Sequence, residues 1–324
     1  MNCTNLTMEP SVKVFQLIIF IPTLSFGLVF NGLALWVFCF RLKKWTETRV
    51  YMINLIISDF SLLFTFPFRL YSYNETWSLG KRMCDTVMFI YFLNVYMSIL
   101  IITMIAVDRY IAIQHPLKAK VLRSPVKAAI ICTLLWIIII SFRTYLLVQD
   151  AQWIPAHDNL RCFQKNPDRP MKRILFFSVF GFFLPFLILT FCSIQVIRIL
   201  KRKITKSQDC GRSVRKAIQI VVANLFVFVF CFLPDHVGKL IRFGLESSLT
   251  SCTIIQRTHT YIHITTCLSH LNCCLDAICY YFVAKEFWEA SGLAFTLKCL
   301  QKARNQTEEK DPKQESNPTQ DIRL

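Results

Sequence analysis

Leu93–Tyr110 reads LNVYMSILIITMIAVDRY, an apolar stretch relieved only by Asn94, Ser98, Thr103 and its tyrosines until Asp108 and Arg109 close it. A charge carried into a bilayer costs about 2.5–3.5 kcal/mol on insertion scales, so a charged pair at the end of such a run marks function. Three residues recur by chance, and the weight of Asp108-Arg109-Tyr110 comes from its setting. Cys84 stands at the mouth of the same run, and Trp136 lies inside the next.

Outward from this stretch the chain repeats the pattern. Of its 324 residues, 54% are hydrophobic, 14% aromatic and 18% charged, with mean hydropathy +0.44. A soluble chain of this length carries more charge and breaks its apolar runs sooner. Seven runs, centred near Val29, Leu62, Leu100, Ile138, Leu187, Phe228 and Ala277, reach the roughly 20 residues of a spanning helix. Barrel strands do not fit, because the alternating ten-residue segments they need are absent. The expected fold is all-α: a seven-transmembrane bundle over residues 12–290, an N-terminal segment 1–11 before it and a disordered tail 291–324 after it. The first run begins near Val12 with no basic segment or small-residue cleavage site before it, so the first helix is expected to act as the targeting signal.

Basic residues set the orientation. Arg41, Lys43, Lys44 and Arg49 follow the first run; Lys118, Lys120, Arg123 and Lys127 follow the third; Arg198, Lys201, Arg202, Arg212 and Arg215 lie between the fifth and sixth. By the positive-inside rule these connections and the tail are cytoplasmic. An outside N-terminus agrees with glycosylation acceptors at Asn2, Asn5 and Asn74. The net charge of +17 is shared among membrane-flanking loops, so it reads as topology and attraction to anionic membrane lipids, not nucleic-acid binding. Of fourteen cysteines, Cys3, Cys84, Cys162 and Cys252 face outside in this scheme. Cys84 and Cys162 are the natural pair, with Cys3 and Cys252 as the remaining one. The spacing of the other cysteines gives no metal site.

The chain resembles the class A, rhodopsin-like G-protein-coupled receptors along essentially Val12 to Ala290. The matching residues are Asn31; Asn54, Leu55 and Asp59; Cys84 and Asp108-Arg109-Tyr110; Trp136; Pro185; Cys231-Phe232-Leu233-Pro234; and Asp276 through Tyr280, with Phe282–Phe287 as a short amphipathic eighth helix. Segments Leu35–Cys39, Trp45–Arg49 and Asn272–Tyr281 are similar to the branch with proposed ligands kynurenic acid and lysophospholipids. The resemblance implies a plasma-membrane, multi-pass receptor without enzymatic chemistry. Its partners would be a heterotrimeric G protein, and arrestin and receptor kinases at the tail. A seven-helix transporter or channel is the competing class, and the inverted repeats that would support it are not visible.

Carried residue by residue, the resemblance makes Asp108, Arg109, Tyr110, Leu117 and Tyr280 the G-protein coupling switch, and Ile99, Pro185, Phe228, Phe232 and Pro234 the transmission switch. Phe232 stands where the family usually has tryptophan, and Asp276-Ala277 where Asn-Pro is usual. No acid near Val214 offers Arg109 a partner on the sixth helix, so Asp108 is expected to be its main restraint. Asp59 and Asp276, with Asn94, Ser98 and Asn272, form an oxygen-rich set. Two carboxylates cannot both stay ionised in a low-dielectric interior without a counter-charge, so either an allosteric sodium ion binds or one carboxyl holds a proton. No other cofactor is expected.

Ligand chemistry follows from charges near the outer mouth. Tyr91 stands where amine receptors carry an aspartate, and no lysine lies between Arg257 and Phe282 for a retinal Schiff base. Instead Arg69, Arg143, Arg161, Arg173, Lys239 and Arg242 gather there with His236, His259 and His263. Arginine suits bidentate capture of carboxylate or phosphate. Aromatic residues including Tyr71, Tyr91, Phe92, Tyr96, Tyr145 and Phe163 would enclose a ring or acyl chain. The expected ligand is a small organic anion, an aromatic carboxylate or a lysophospholipid; a neutral lipid is the alternative. Related receptors place a further arginine where this chain has Val95.

Overall fold

A computed structural model of the chain describes residues 8–41, 45–73, 77–151, 162–163, 172–204, 211–248 and 251–279. Among these the architecture is helical without strands. The elements are α1 (Pro10–Trp36, continued by a π-helical turn Val37–Arg41), α2 (Glu47–Tyr71), α3 (Gly80–Gln114), a short α4 (Pro116–Leu122) and α5 (Pro125–Ala151). Then come α6 (Lys172–Ser178), a π-helical turn Val179–Phe183, α7 (Leu184–Ile204), α8 (Gly211–Ser247) and α9 (Cys252–His270), with 272–279 helical beyond a turn at Leu271. Counting α6, its π turn and α7 as one rod, seven membrane-scale helices result.

The starts of these helices are written locally. Pro10, Pro116 and Pro125 sit in first turns, where a missing N–H costs nothing. Thr46 caps α2 by accepting from the Arg49 N–H at 3.3 Å, and Glu47 opens that helix where a negative charge suits the dipole. The π turn ends just before Pro185, whose ring cannot accept a normal α-helical turn ahead of it. Gly181 lies in that turn, and a Cβ there would come within 2.5 Å of the Tyr96 ring. Glycine therefore lets α3 approach the rod closely.

Among the described residues, six helices are long and apolar enough to cross a membrane. The seventh run corrects the sequence reading. It begins at Cys252, well before the expected centre at Ala277, and Gln256, Arg257, His259, His263 and His270 keep it more polar than its neighbours. Its polar face is buried: His259, Thr265, Ser269 and His270 point into the bundle.

Helix contacts close a ring that runs through α3. α1 packs on α2 and α9, α2 on α3 and α5, α7 on α3 and α8, and α8 on α9. The core is apolar at its centre, with Leu55, Ile56, Met97, Ile99, Ile101, Phe182, Phe228 and Phe232 essentially inaccessible. Outward faces are equally apolar: Ile18, Phe26, Leu33, Ile137, Ile138, Leu187 and Phe226 are all exposed. Water would not tolerate so continuous an apolar patch, and lipid does.

Cys84 at the start of α3 is bonded to Cys162, 78 residues away, which fixes one point of the long α5–α6 connection over that end of the bundle. Cys252 is also disulfide-bonded; the partner expected for it, Cys3, lies outside the described residues. So do Asn2, Asn5, Asn74, Arg161, Tyr280, the eighth-helix segment and the tail. The two ends of the bundle are called below the disulfide end and the Asp108 end.

Candidate functional site

At the disulfide end, Phe163 follows Cys162 with φ 63°, a left-handed backbone that costs a non-glycine residue about 1–3 kcal/mol. It turns the ring edge-on to Tyr91 and Trp77, at 6.1 and 6.5 Å. Arg69 of α2 lies 4.7 Å over the same ring and donates to the Phe163 carbonyl at 3.4 Å. Its other arm donates to Nδ1 of His263, also at 3.4 Å, and His263 meets His259 one turn back through their Nε2 atoms at 3.2 Å. Arg242 of α8 is 3% exposed; its Nε donates to Glu246 at 2.9 Å, while its Nη2 has no hydrogen-bond partner among the described residues. Arg69, Arg242 and Asp235 all act electrostatically on His263, so charges from α2 and α8 converge on α9 there.

The other expected ligand residues are arranged around this centre. Lys239 is tied to buried Asp235 at 2.6 Å, and Asp235 also accepts from Thr266 at 2.6 Å. Asp235 is thus an acid inside the site, and its i,i+4 spacing to Lys239 was a readable signal. His236 stacks on Phe182 at 4.2 Å and His270 meets Tyr91 edge-on at 4.9 Å; neither ring has a hydrogen bond among the described residues. Tyr96 is enclosed by Phe92 and Phe177. Arg143 does not join Arg69 and Arg242 around His263: its guanidinium lies 5.1 Å over Phe92, toward Tyr96. Tyr145, expected among the enclosing aromatics, is 58% exposed. The side chain of Arg173 lies outside what is described.

Midway down, the buried polar set assembles. Asn94 donates to the Ser58 carbonyl at 2.9 Å and to Asp59 at 3.3 Å, with Ser98 Oγ at 3.5 Å. Asn272 donates to Asp276 at 2.7 Å, and Asp59 and Asp276 lie close enough to repel each other. Asp59 Oδ2 and Asn272 Oδ1 are buried acceptors without hydrogen-bond donors among the described residues. A cation or a proton is what such oxygens need. Below this set Ile99, Phe228 and Phe232 share one core with Phe182 and Phe186, and Phe228 stacks on Phe182 at 5.8 Å. Pro185 is buried next to them in sequence, and Pro234 lies inside α8 two residues after Phe232, whose ring meets Phe228 edge-on at 5.3 Å.

The Asp108 end adds a partner that the sequence reading did not name. Asp108 remains within electrostatic range of Arg109, but its two oxygens accept from Arg123, at 2.7 Å from Nε and 2.9 Å from Nη2. Arg123 also reaches Glu47 of α2 at 3.3 Å, and Thr48 donates to Asp108 at 3.5 Å. Burial opposes the Arg123 charge, yet the Asp108 hydrogen bonds and the charges of Asp108 and Glu47 outweigh it and raise its pKa above the ordinary value. The main restraint thus ties the residue that follows α4 to α2 and α3. On α8, Val214 packs with Val196 and Leu200 against Tyr110 and Ile113, an apolar seal where the sequence offered no acid. Leu117 on α4 is 78% exposed.

Comparison with known proteins places this geometry. Residues 30–280 match the family model described as the 7 transmembrane receptor, rhodopsin family. The chain is 42% identical to human G-protein coupled receptor 35 over 90% of its own length and 91% of that protein's. It is 34% identical to chicken lysophosphatidic acid receptor 6 over 80% of this chain and 86% of the relative. Mouse G-protein coupled receptor 55 is 33% identical over 88% of this chain and 90% of its own.

Proposed function

The chain belongs to the rhodopsin family of seven-transmembrane receptors, and from that premise we propose that it is a receptor for a small organic anion, an aromatic carboxylate or a lysophospholipid. As a member of that family it is a multi-pass plasma-membrane receptor that couples to G proteins, and it is not an enzyme. The observation that carries the ligand reading is the convergence of Arg69 and Arg242 on one histidine, with an unfilled donor on buried Arg242 and a wall of Tyr91 and Phe163 beside it. Guanidinium groups so placed suit a carboxylate or phosphate, and the aromatic wall suits a ring or acyl chain. The names of the lysophosphatidic acid receptors point to the same charge class. The test is G-protein dissociation in cells expressing the chain, read against carboxylate and phosphate metabolites. Responses confined to neutral lipids would overturn the reading.

In this proposal the disulfide end and the N-terminus face outward, and arrestin and receptor kinases act at the other end. Glycosidase treatment should lower the apparent mass, and removing Asn2 and Asn5 should abolish most of the shift. A protease-protected, unglycosylated N-terminus would reverse the orientation.

A sodium ion fits the midway set, because its unsatisfied atoms are acceptors flanked by two carboxylates. Asp59, Asn94, Ser98, Asn272 and Asp276 would hold it, and the ion would neutralise the carboxylate pair. Asp59→Asn and Asp276→Asn should each change sodium sensitivity or basal signalling while largely sparing surface expression. Signalling in both that stays constant across sodium concentration would make the acids structural.

A further inference from the structure

The hydrogen bonds around His263 fix protonation as well as position. A guanidinium only donates, so Nδ1 of His263 accepts from Arg69 at 3.4 Å and the ring is neutral. Its proton then sits on Nε2 and is donated to Nε2 of His259 at 3.2 Å. That atom accepts, so His259 is neutral as well. The charged and titratable groups acting on His263 are Arg69 from α2, Arg242 and Asp235 from α8, and His259 one turn back on its own helix. From α1, Gln16 faces this helix: its amide donates to the His263 carbonyl at 3.0 Å and accepts from Tyr73. Two cations thus face His263 against one acid, and that acid is already held by Lys239 and Thr266.

An anion changes each part of this arrangement. Docked on Arg69, it draws the guanidinium N–H away from His263 and exposes the Nδ1 lone pair. It also supplies the negative charge that the cluster lacks, and a second oxygen that can accept from Nδ1. We infer that anion binding at the Arg69–Arg242 site is coupled to uptake of one proton from solvent by the His259–His263 pair, so that the bound oxyanion receives an imidazolium N–H as well as guanidinium donors. The inference rests on the anion-receptor reading proposed above. Its sign follows from linkage: the complex holds more protons than the free receptor, so affinity rises as pH falls. The slope reaches about tenfold per pH unit between the pair's free and bound pKa values, and it vanishes above the bound one.

The probe is naphthalene-2-sulfonate, which stays ionised throughout, titrated into the purified full-length receptor between pH 5.5 and 8. Calorimetry in two buffers of different ionisation enthalpy counts the protons taken up. Wild type should bind more tightly toward acid and take up close to one proton in the sloping range. His263→Gln and His263→Asn should both flatten the pH dependence, and Arg69→Ala should weaken binding at every pH. Arginine-dependent binding with no proton uptake, or a slope unchanged in both His263 variants, would overturn the linkage and leave the anion site standing. Absence of wild-type binding, or binding indifferent to both Arg69→Ala and Arg242→Ala, would overturn the anion reading itself.

Discussion

Replacing Arg242 by alanine should move the potency of an acidic agonist to the right by about 30-fold to several thousand-fold and leave the maximal response in place, since a partly buried charge-assisted contact is worth roughly 2–5 kcal/mol. The side chain is 3% exposed and held in place by Glu246 through Nε, which leaves Nη2 preorganised for an anion. Arg69→Ala should act in the same direction, because it removes the donor shared by Phe163 and His263. Arg143 lies on Phe92, so its alanine variant should cost less for a compact carboxylate. Lysine at position 242 should rescue only in part, keeping the charge but losing the planar fork. Lys120→Ala at the opposite end serves as the control. Wild-type potency in all three arginine variants at normal surface expression would favour a neutral lipid entering between helices.

What could be read in the sequence was whatever a helix repeats along itself. Six spans followed from apolar length alone, and the seventh was recognisable but misplaced, because its buried face carries histidine and threonine where the others carry isoleucine and phenylalanine. Pairs four residues apart, such as Asp235 with Lys239, Arg242 with Glu246 and His259 with His263, were also legible in principle, since that spacing puts both side chains on one helix face. Contacts between helices were not. Nothing local pairs Arg69 with His263, 194 residues away, or turns Arg143 toward Phe92 and away from them. Pro185 was singled out for its place in a transmission switch, but the close approach of Gly181, in the π turn ahead of it, to the Tyr96 ring of α3 is a contact between helices. Arg123 was counted only as one more basic loop residue, because its partner depends on how the chain turns at His115 between α3 and α4.

That last residue carries a large expected effect. Arg123→Ala should destabilise the receptor by about 3 kcal/mol, on the order of 100-fold in the folded-to-unfolded ratio, because it strips a mostly buried carboxylate of its two guanidinium donors and leaves it only the 3.5 Å bond from Thr48. The value sits at the low end for a broken buried pair, since the side chains of Arg123 and Asp108 keep 17% and 8% exposure. Function should change in a defined direction. With Arg123 gone, the nearest cation for Asp108 is Arg109, its chain neighbour and already within electrostatic range. Arg109 is then held more firmly, so basal and agonist-driven nucleotide exchange should both fall relative to the amount of receptor at the surface. Asp108→Asn removes the carboxylate from both arginines and should raise basal exchange instead. The double variant separates pairing from general damage: with both charges absent neither member of the Arg123–Asp108 pair is left without the other, so its loss of thermal stability should be well below the sum of the two single losses. Strictly additive losses in stability, or unchanged basal exchange in Arg123→Ala, would show that the Arg123–Asp108 clasp does not restrain the switch.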